Sequence, residues 1–332
     1  MTNRKRIISM VSAVILTALI VVSLMFLSDR NAKFTLTEKS VIAMGTVVTE
    51  KIYSETPGTA IKDITDIVNG LEDTISWRKE NSAVALLNKN GSVKNKYISE
   101  VVSDMKKLST LTDGKFDLTV GKVSRLWNIG EESQRVPSEK EISTALKTVG
   151  TDKVQINGDT LTVSEGTLLD LGAIGKGFAC DLIYAYLQGT EIDGAIVSVG
   201  GSIMAYGDYN KKADKWRVAI THPRETDKYL GIISFDSGFV STSGDYERYF
   251  EEDGKRYHHI LDATTGYPSE SGLISVTVVA DSGIMSDALS TACLLAGKEK
   301  ATEILESMGA SAILVDENLN ITTVGEIDFE KQ

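Results

Sequence analysis

The chain has 332 residues, of which 42 % are hydrophobic, so it is long enough to bury a sizeable core in one large domain or two modest ones. Its formal net charge is −11, from 46 acidic and 35 basic residues. This balance, with no long Lys/Arg block after the N-terminal segment, argues against nucleic-acid binding. An anionic ligand would therefore need local help from a metal ion or a single lysine.

The N-terminal segment is predicted to hold the protein in a membrane. Residues 7–27 are almost continuously apolar and follow three basic residues, Arg4, Lys5 and Arg6. That length can cross a bilayer, and the basic cluster predicts an extracytoplasmic location for everything that follows. A cleaved signal peptide is the alternative, although residues 26–29 form a poor cleavage site. We divide the chain into residues 1–30 (cytoplasmic tip and anchor or signal), a linker at 31–40 and one domain at 41–332.

The pattern of apolar residues in this domain predicts an α+β fold. Helical spacing predicts helices at 61–75, 100–111, 178–188, 286–296 and 301–308, and a capping box of Ser138 and Glu141 predicts one at 138–148. Extended segments are predicted at 41–53, 154–163 (a hairpin), 195–199, 203–206, 216–221, 231–235, 239–241, 257–261, 274–279, 312–315 and 321–324. Most of these strands are joined by short turns. We therefore expect a single large domain with mainly antiparallel sheets flanked by helices.

Two cysteines, Cys180 and Cys293, lie within apolar helical patterns. Such positions favour buried free thiols, and the spacing does not match a metal site. The sequence alone does not decide whether the two cysteines form a disulfide.

A glycine-rich corner at residues 170–181 is the strongest candidate for a ligand site. Three glycines allow a sharp turn there, and the helix that follows offers unpaired N–H groups and the positive end of its dipole. Lys176 adds a positive charge, and Asp170 could hold a polar group of the ligand. The corner therefore suits a phosphate. A strand-to-helix corner that needs glycine only for packing would have the same sequence pattern.

A second candidate site is the pair Asp287 and Thr291. Four residues apart on a helix, the carboxylate and the hydroxyl lie on one face. Two hard oxygen ligands suit a small cation such as Mg²⁺, which leaves room for substrate phosphates. Alternatively, Asp287 interacts with the dipole of its own helix and Thr291 bonds back to that helix.

Four further residues are candidates for contact with a ligand. His258 and His259 are adjacent on a predicted strand, so at most one of them faces a given site, where it could act as a general base or could instead cap a sheet edge. Asp117 lies in a short apolar run, where it either caps a backbone turn or faces a ligand. Trp77 follows the first helix and either covers the core or stacks on a ligand ring.

Taken together, these stretches resemble the ApbE family of FAD:protein FMN transferases from about residue 43 to the C-terminus. The motifs occur in the family's order, and as a set they are specific. They are MGT at 44–46, FDLTVG at 116–121, DLGAIGKG at 170–177, STSG at 241–244, HILD at 259–262 with TG at 265–266, and DALST at 287–291.

The resemblance implies that FAD is the substrate and lies across the glycine corner. It further implies Mg²⁺ held by the carbonyl of Ala173 and the side chains of Asp287 and Thr291, with His259 helping to deprotonate a threonine or serine hydroxyl of a target protein. The expected targets are exported or membrane-bound flavoproteins. The FAD contacts that it implies are Met44, Trp77, Phe116, Asp117, Leu118, Thr119, Asp170, Lys176 and Ile260.

The sequence departs from the family pattern at two positions. Ala263 stands where proline often follows the motif aspartate, which affects only the rigidity of that loop. His258 precedes the motif histidine, which leaves the choice of base between His258 and His259. Two other functions remain alternatives: hydrolysis of FAD to FMN and AMP, and FAD binding at a surface without catalysis.

Overall fold

An antiparallel sheet of eight strands runs through the centre of the computed structural model, which describes residues 35–209, 214–225 and 227–332. In chain order the strands are β1 (Leu36–Ala43), β2 (Thr46–Tyr53), β3 (Ser92–Lys94), β4 (Val154–Asn157), β5 (Thr160–Val163), β6 (Gly194–Val199), β7 (Ser202–Gly207), β8 (Trp216–Thr221), β9 (Tyr229–Phe235), β10 (Gly238–Gly244), β11 (Tyr249–Glu252), β12 (Lys255–His258), β13 (Leu273–Ala280), β14 (Ser311–Asp316), β15 (Ile321–Val324) and β16 (Asp328–Lys331). The central sheet has the order β1-β2-β6-β7-β10-β13-β14-β15.

Helices cover one face of this sheet. They are α1 (Ala60–Ile75), α2 (Ala83–Asn90), α3 (Lys96–Leu111), α4 (Gly121–Trp127), α5 (Glu139–Leu146), α6 (Gly175–Leu187), α7 (Gly283–Ala296) and α8 (Lys298–Met308). Strand β13 shows how the two faces differ, because successive side chains of a strand point to opposite sides. Val276 and Val278 pack into the helical core, whereas Ile274 packs on the opposite face against residues of β8 and β9. The small sheet β16-β9-β8 thus forms a third layer.

The predicted fold class is confirmed: the chain is α+β, with a large antiparallel sheet flanked by helices. The capping box of Ser138 and Glu141 and the hairpin at 154–163 are both present. Cys180 and Cys293 are buried free thiols, so the alternative of a disulfide between them is excluded.

Several boundaries differ from the prediction. Residues 41–53 are not one strand but the end of β1 and all of β2, joined by a turn in which Met44 and Gly45 have φ of 52° and 66°. Strand β1 begins at Leu36, inside the predicted linker, because pairing with β2 holds a polar stretch in extended form. The strand predicted at 257–261 ends at His258. The short helices α2 and α4 were missed, since eight and seven residues give too few turns for a periodic signal.

The predicted membrane segment at 7–27 lies outside the described residues. Within the described ranges, no helix has the length and apolar character needed to cross a bilayer.

A buried carboxylate in β2 makes stability depend on pH. Glu50 is 0 % exposed, accepts a 3.0 Å hydrogen bond from the Thr65 hydroxyl, and has no partner for Oε2 in the part of the chain that the structure describes. Burial raises its pKa to about 7, although Thr65 and the charge of Lys39 oppose this. The folded state therefore binds the carboxyl proton more tightly than the unfolded state does. The contribution of Glu50 to the free energy of unfolding is fully present below pH 4.5 and is lost as the pH rises through 7.

We expect Glu50→Gln to stabilise the protein at pH 8 by up to about 3 kcal/mol and to have little effect at pH 4.5, because glutamine carries no charge to bury. Urea unfolding at both pH values measures the difference. The exposed Glu132→Gln serves as the control and should change stability by less than about 0.5 kcal/mol at either pH. An equal effect of Glu50→Gln at both pH values would contradict the account.

Candidate active site

A cleft of about 460 Å³ opens beside the first turn of α6. Its volume lies within the range of small-molecule sites. It is formed by the β1–β2 turn, the loops that follow α1 and α3, the glycine corner, and the chain after β12. The predicted site residues that line it are Met44, Trp77, Phe116, Asp117, Leu118, Asp170, Ala173, Lys176, His259, Ile260 and Thr291. Residues from six separate stretches of the sequence thus meet at one place.

Asp287 of α7 is joined directly to the glycine corner. Its Oδ2 accepts a 2.9 Å hydrogen bond from the backbone N–H of Gly177, and its Oδ1 lies 3.6 Å from Nζ of Lys176. The side chain is only 1 % exposed. Asp287 therefore caps the first turn of α6. One alternative from the sequence had placed its interaction with its own helix α7 instead.

The two helices can approach so closely because each contributes a glycine at the contact. A Cβ atom on Gly177 would collide with the carbonyl oxygen of Gly283, and the reverse substitution would collide with the carbonyl of Gly177. Asp181 of α6 accepts hydrogen bonds of 2.7 and 2.8 Å from the N–H groups of Gly283 and Ile284. Each helix thus provides the carboxylate that satisfies the first turn of the other.

The donor atoms around Asp287 fit a small hard cation. Asp287 keeps Oδ1 free of hydrogen bonds within the described residues, and Thr291 lies one helical turn further along at the wall of the cleft. The available donors are carboxylate, hydroxyl and carbonyl oxygens, the set that Mg²⁺ prefers. Within the described ranges there is no cluster of three or more His, Cys, Asp or Glu side chains that could hold a metal.

His259, and not His258, faces the cleft. Its Nδ1 lies 3.3 Å from the carbonyl oxygen of Arg248. A carbonyl only accepts, so Nδ1 carries the proton and Nε2 keeps its lone pair. Burial, together with the charges of Arg248 and Lys176, lowers the pKa of His259 to about 3. The imidazole is therefore neutral at physiological pH, with Nε2 unprotonated.

His258 has a structural environment. It is 7 % exposed; its Nε2 lies 3.0 Å from the carbonyl of Ser269, and its Nδ1 accepts from the N–H of Ile260 at 3.3 Å. Burial lowers its pKa. Both ring nitrogens are engaged in holding the chain on either side of the cleft residue Ile260.

The acidic residues at 117 and 170 organise backbone turns at the cleft wall. Oδ1 of Asp117 accepts hydrogen bonds from the N–H and the hydroxyl of Thr119 at 2.8 and 2.7 Å, and Oδ1 of Asp170 accepts from the N–H of Gly172 at 2.9 Å. Asp117 thus combines both sequence alternatives, since it caps a turn and lines the cleft. Thr119 is only 2 % exposed and lies outside the cleft lining, because its hydroxyl binds Asp117 and the N–H of Gly150.

Trp77 lines the cleft and also packs against the core. The guanidinium carbons of Arg78 and Arg125 lie 4.1 and 4.6 Å from its ring centroid, within cation–π range. The ring is therefore held by two cations at the cleft wall.

Glu247 and Arg248 are among the cleft residues that the sequence did not predict. Glu247 faces the site, where burial raises its pKa against the charges of Lys176 and Arg248. Arg248 donates a 2.8 Å hydrogen bond to the carbonyl of Gly45, while its own carbonyl accepts from the backbone N–H of His259, so it links the β1–β2 turn to His259. Both residues follow directly after the hydroxyl-rich stretch at 241–246, but only their tertiary contacts identify them as cleft residues.

The fold and the cleft together define an α+β enzyme whose site lies at the start of helix α6, beside its contact with α7. The sequence model of the ApbE family matches residues 44–314. Two curated relatives, each named FAD:protein FMN transferase, are 32 % identical. That of Vibrio cholerae aligns over 82 % of this chain and 85 % of its own length, and that of Treponema pallidum over 82 % and 83 %.

Solved structures agree with the sequence comparison. The ApbE protein from Thermotoga maritima superposes with a TM-score of 0.81 at 34 % identity, covering 87 % of this chain and 97 % of that one. The apo form of the Pseudomonas stutzeri flavinyl transferase ApbE gives 0.76 at 31 % identity, with 90 % and 96 % covered. The chain belongs to the ApbE family.

Proposed function

We propose that this chain transfers FMN from FAD to a threonine or serine hydroxyl of a target protein, releases AMP, and depends on Mg²⁺. The observation that carries the proposal is the 2.9 Å hydrogen bond between Gly177 and Asp287. It brings an anion-binding helix start, a lysine and a hard oxygen ligand together beside the cleft. The names of the curated relatives support the same activity.

FAD binding is assigned to the residues that line the cleft. The first turn of α6 and Lys176 would receive the pyrophosphate, since both offer positive charge. Trp77 would stack on a ring of the ligand. The further proposed contacts are Met44, Phe116, Asp117, Leu118, Asp170 and Ile260, with Thr119 supporting Asp117 from behind.

The chemistry follows from the neutral histidine and the charge distribution. Nε2 of His259 accepts the proton of the incoming hydroxyl, whose oxygen attacks the FMN-side phosphorus. The bond from that phosphorus to the bridging oxygen breaks, and AMP leaves with the electron pair. Mg²⁺, held by Asp287, Thr291 and the carbonyl of Ala173, would neutralise charge on the pyrophosphate oxygens. Lys176 adds a fixed positive charge next to these oxygens.

We further propose that residues 7–27 hold the enzyme at the cell membrane as a single span, with the catalytic domain on the extracytoplasmic side. Its protein substrates would then be exported or membrane-bound flavoproteins that carry an acceptor threonine or serine. The support is the apolar segment after Arg4, Lys5 and Arg6.

The full-length protein in detergent, incubated with FAD, Mg²⁺ and a candidate acceptor protein, should give an acceptor band that stays fluorescent after denaturation, together with AMP. Chelation with EDTA should abolish both. Release of AMP with no labelled acceptor would instead indicate FAD hydrolysis. Tight FAD binding with no AMP under any condition would indicate a flavin-binding protein without turnover.

Replacing His259 should reduce transfer more than replacing His258. We expect His259→Ala to lower kcat about 100-fold, within the range for loss of a general base, while His258→Ala lowers thermal stability and changes kcat less than about fivefold. Because the pKa of His259 is lowered to about 3, kcat/KM for FAD should not fall between pH 8 and pH 5 on account of this group. Equal losses of kcat in the two variants would remove His259 from the role of base.

A further inference from the structure

Strand β10 and helix α7 face one another through two pairs of buried serine hydroxyls. The hydroxyls of Ser241 and Ser286 are 2.8 Å apart, and those of Ser243 and Ser290 are also 2.8 Å apart. The pairs are similar in burial and lie one helical turn apart on α7. They differ in that Ser243 lines the cleft and also lies 2.9 Å from the hydroxyl of Thr291, whereas Ser241 does neither.

Counting protons fixes the direction of these hydrogen bonds. Ser290 donates its only hydroxyl proton to the backbone carbonyl of Asp287 at 2.8 Å, so it can only accept from Ser243. Ser243 therefore donates its own hydroxyl proton to Ser290 and can only accept a hydrogen bond from Thr291. The proton of Thr291 is then held in the bond to Ser243, which also lines the cleft, and this leaves the oxygen lone pairs of Thr291 free.

We infer that Ser243 is a positioning residue for the metal site, since it holds Thr291 with its oxygen lone pairs towards the cation. This inference rests on the proposed Mg²⁺ ligation by Asp287 and Thr291. A hydroxyl that pointed its proton into the cleft would repel a cation, and one free to rotate would have to be ordered on binding. The path from Thr291 through Ser243 and Ser290 ends on the carbonyl of Asp287, so it links the two side-chain ligands to each other.

The test is a Mn²⁺ titration of the full-length protein in detergent, followed by EPR, with FAD present and no acceptor protein. Ser243→Ala should weaken Mn²⁺ binding about tenfold, the lower end of the range for groups that orient metal ligands. Ser241→Ala is the matched control: it removes a buried, serine-paired hydroxyl from the same strand but not a partner of Thr291, and it should change the Kd less than twofold.

A double-mutant cycle separates positioning from general loosening of the fold. In a Thr291→Ala background, Ser243→Ala should have no further effect on Mn²⁺ binding, because its target is already gone. If Ser243→Ala does not fold, Ser290→Ala tests the same path, since it frees the Ser243 proton to turn towards Thr291; it should also weaken binding.

The outcomes distinguish the inference from the function on which it rests. Suppose that the wild-type protein binds Mn²⁺. If Ser243→Ala then leaves the Kd unchanged, or if Ser241→Ala raises the Kd equally, the role of Ser243 is overturned and the metal site stays in place. The absence of Mn²⁺ binding by the wild-type protein overturns the metal site and the role of Ser243 together.

Discussion

Replacing Asp287 with alanine is expected to lower the rate of FAD-dependent transfer more than about 1000-fold and the free energy of unfolding by about 2 kcal/mol. The rate falls because charge neutralisation by a bound divalent ion contributes several kcal/mol to such a reaction. Stability falls because the buried N–H of Gly177 loses its acceptor and Lys176 loses its partner at 3.6 Å.

Asp287→Asn separates these two effects. The asparagine oxygen can still accept from Gly177, so we expect most of the stability to return, while the loss of charge keeps Mg²⁺ binding and transfer low. Urea unfolding, AMP release and Mn²⁺ titration of both variants provide the comparison. A fully active Asp287→Asn enzyme would show that this carboxylate does not bind the metal ion.

Replacing Gly177 with alanine is expected to lower the free energy of unfolding by about 3 kcal/mol and to abolish FAD binding. The added Cβ would collide with the Gly283 carbonyl, which is backbone and cannot rotate away. Helices α6 and α7 must separate to make room. That separation would lengthen the Gly177–Asp287 hydrogen bond and move Asp287 and Thr291 away from the glycine corner.

Gly70→Ala is the matched control, because Gly70 also lies inside a helix but has no atom within 4 Å of its added Cβ. It should be neutral or stabilise the protein by up to about 1 kcal/mol, through helix propensity alone. Thermal unfolding and quenching of flavin fluorescence on FAD binding measure both variants. If Gly177→Ala unfolds at the same temperature and binds FAD as well as Gly70→Ala does, the contact between α6 and α7 tolerates a side chain.

Local signals identified most of the elements. The helical period of apolar residues located α1 and α3, and the capping box marked the start of α5, because these features depend only on neighbours in the chain. Strand β1 was placed too late for the opposite reason: the polar residues from Leu36 onwards are extended through hydrogen bonds to β2. The turn at Met44 and Gly45 was likewise read as continuous strand.

The composition of the candidate site followed from the residue types, but its geometry did not. The glycine corner, the pair Asp287 and Thr291, and the two histidines could each be recognised in the sequence, since a few adjacent residues carry each motif. Which histidine enters the cleft depends on the carbonyls of Arg248 and Ser269, which come from different segments. No periodicity in the sequence encodes such contacts.

By itself, the sequence determined the α+β class, the family and the residue types of the candidate site, because these reside in local patterns and motif order. The tertiary structure alone decided that Asp287 caps helix α6, that Gly177 and Gly283 let the two helices touch, and that Ser243 lies within hydrogen-bonding distance of Thr291. These contacts join residues that are distant in the chain, and only the packing of α7 between α6 and β10 brings their atoms within hydrogen-bonding distance.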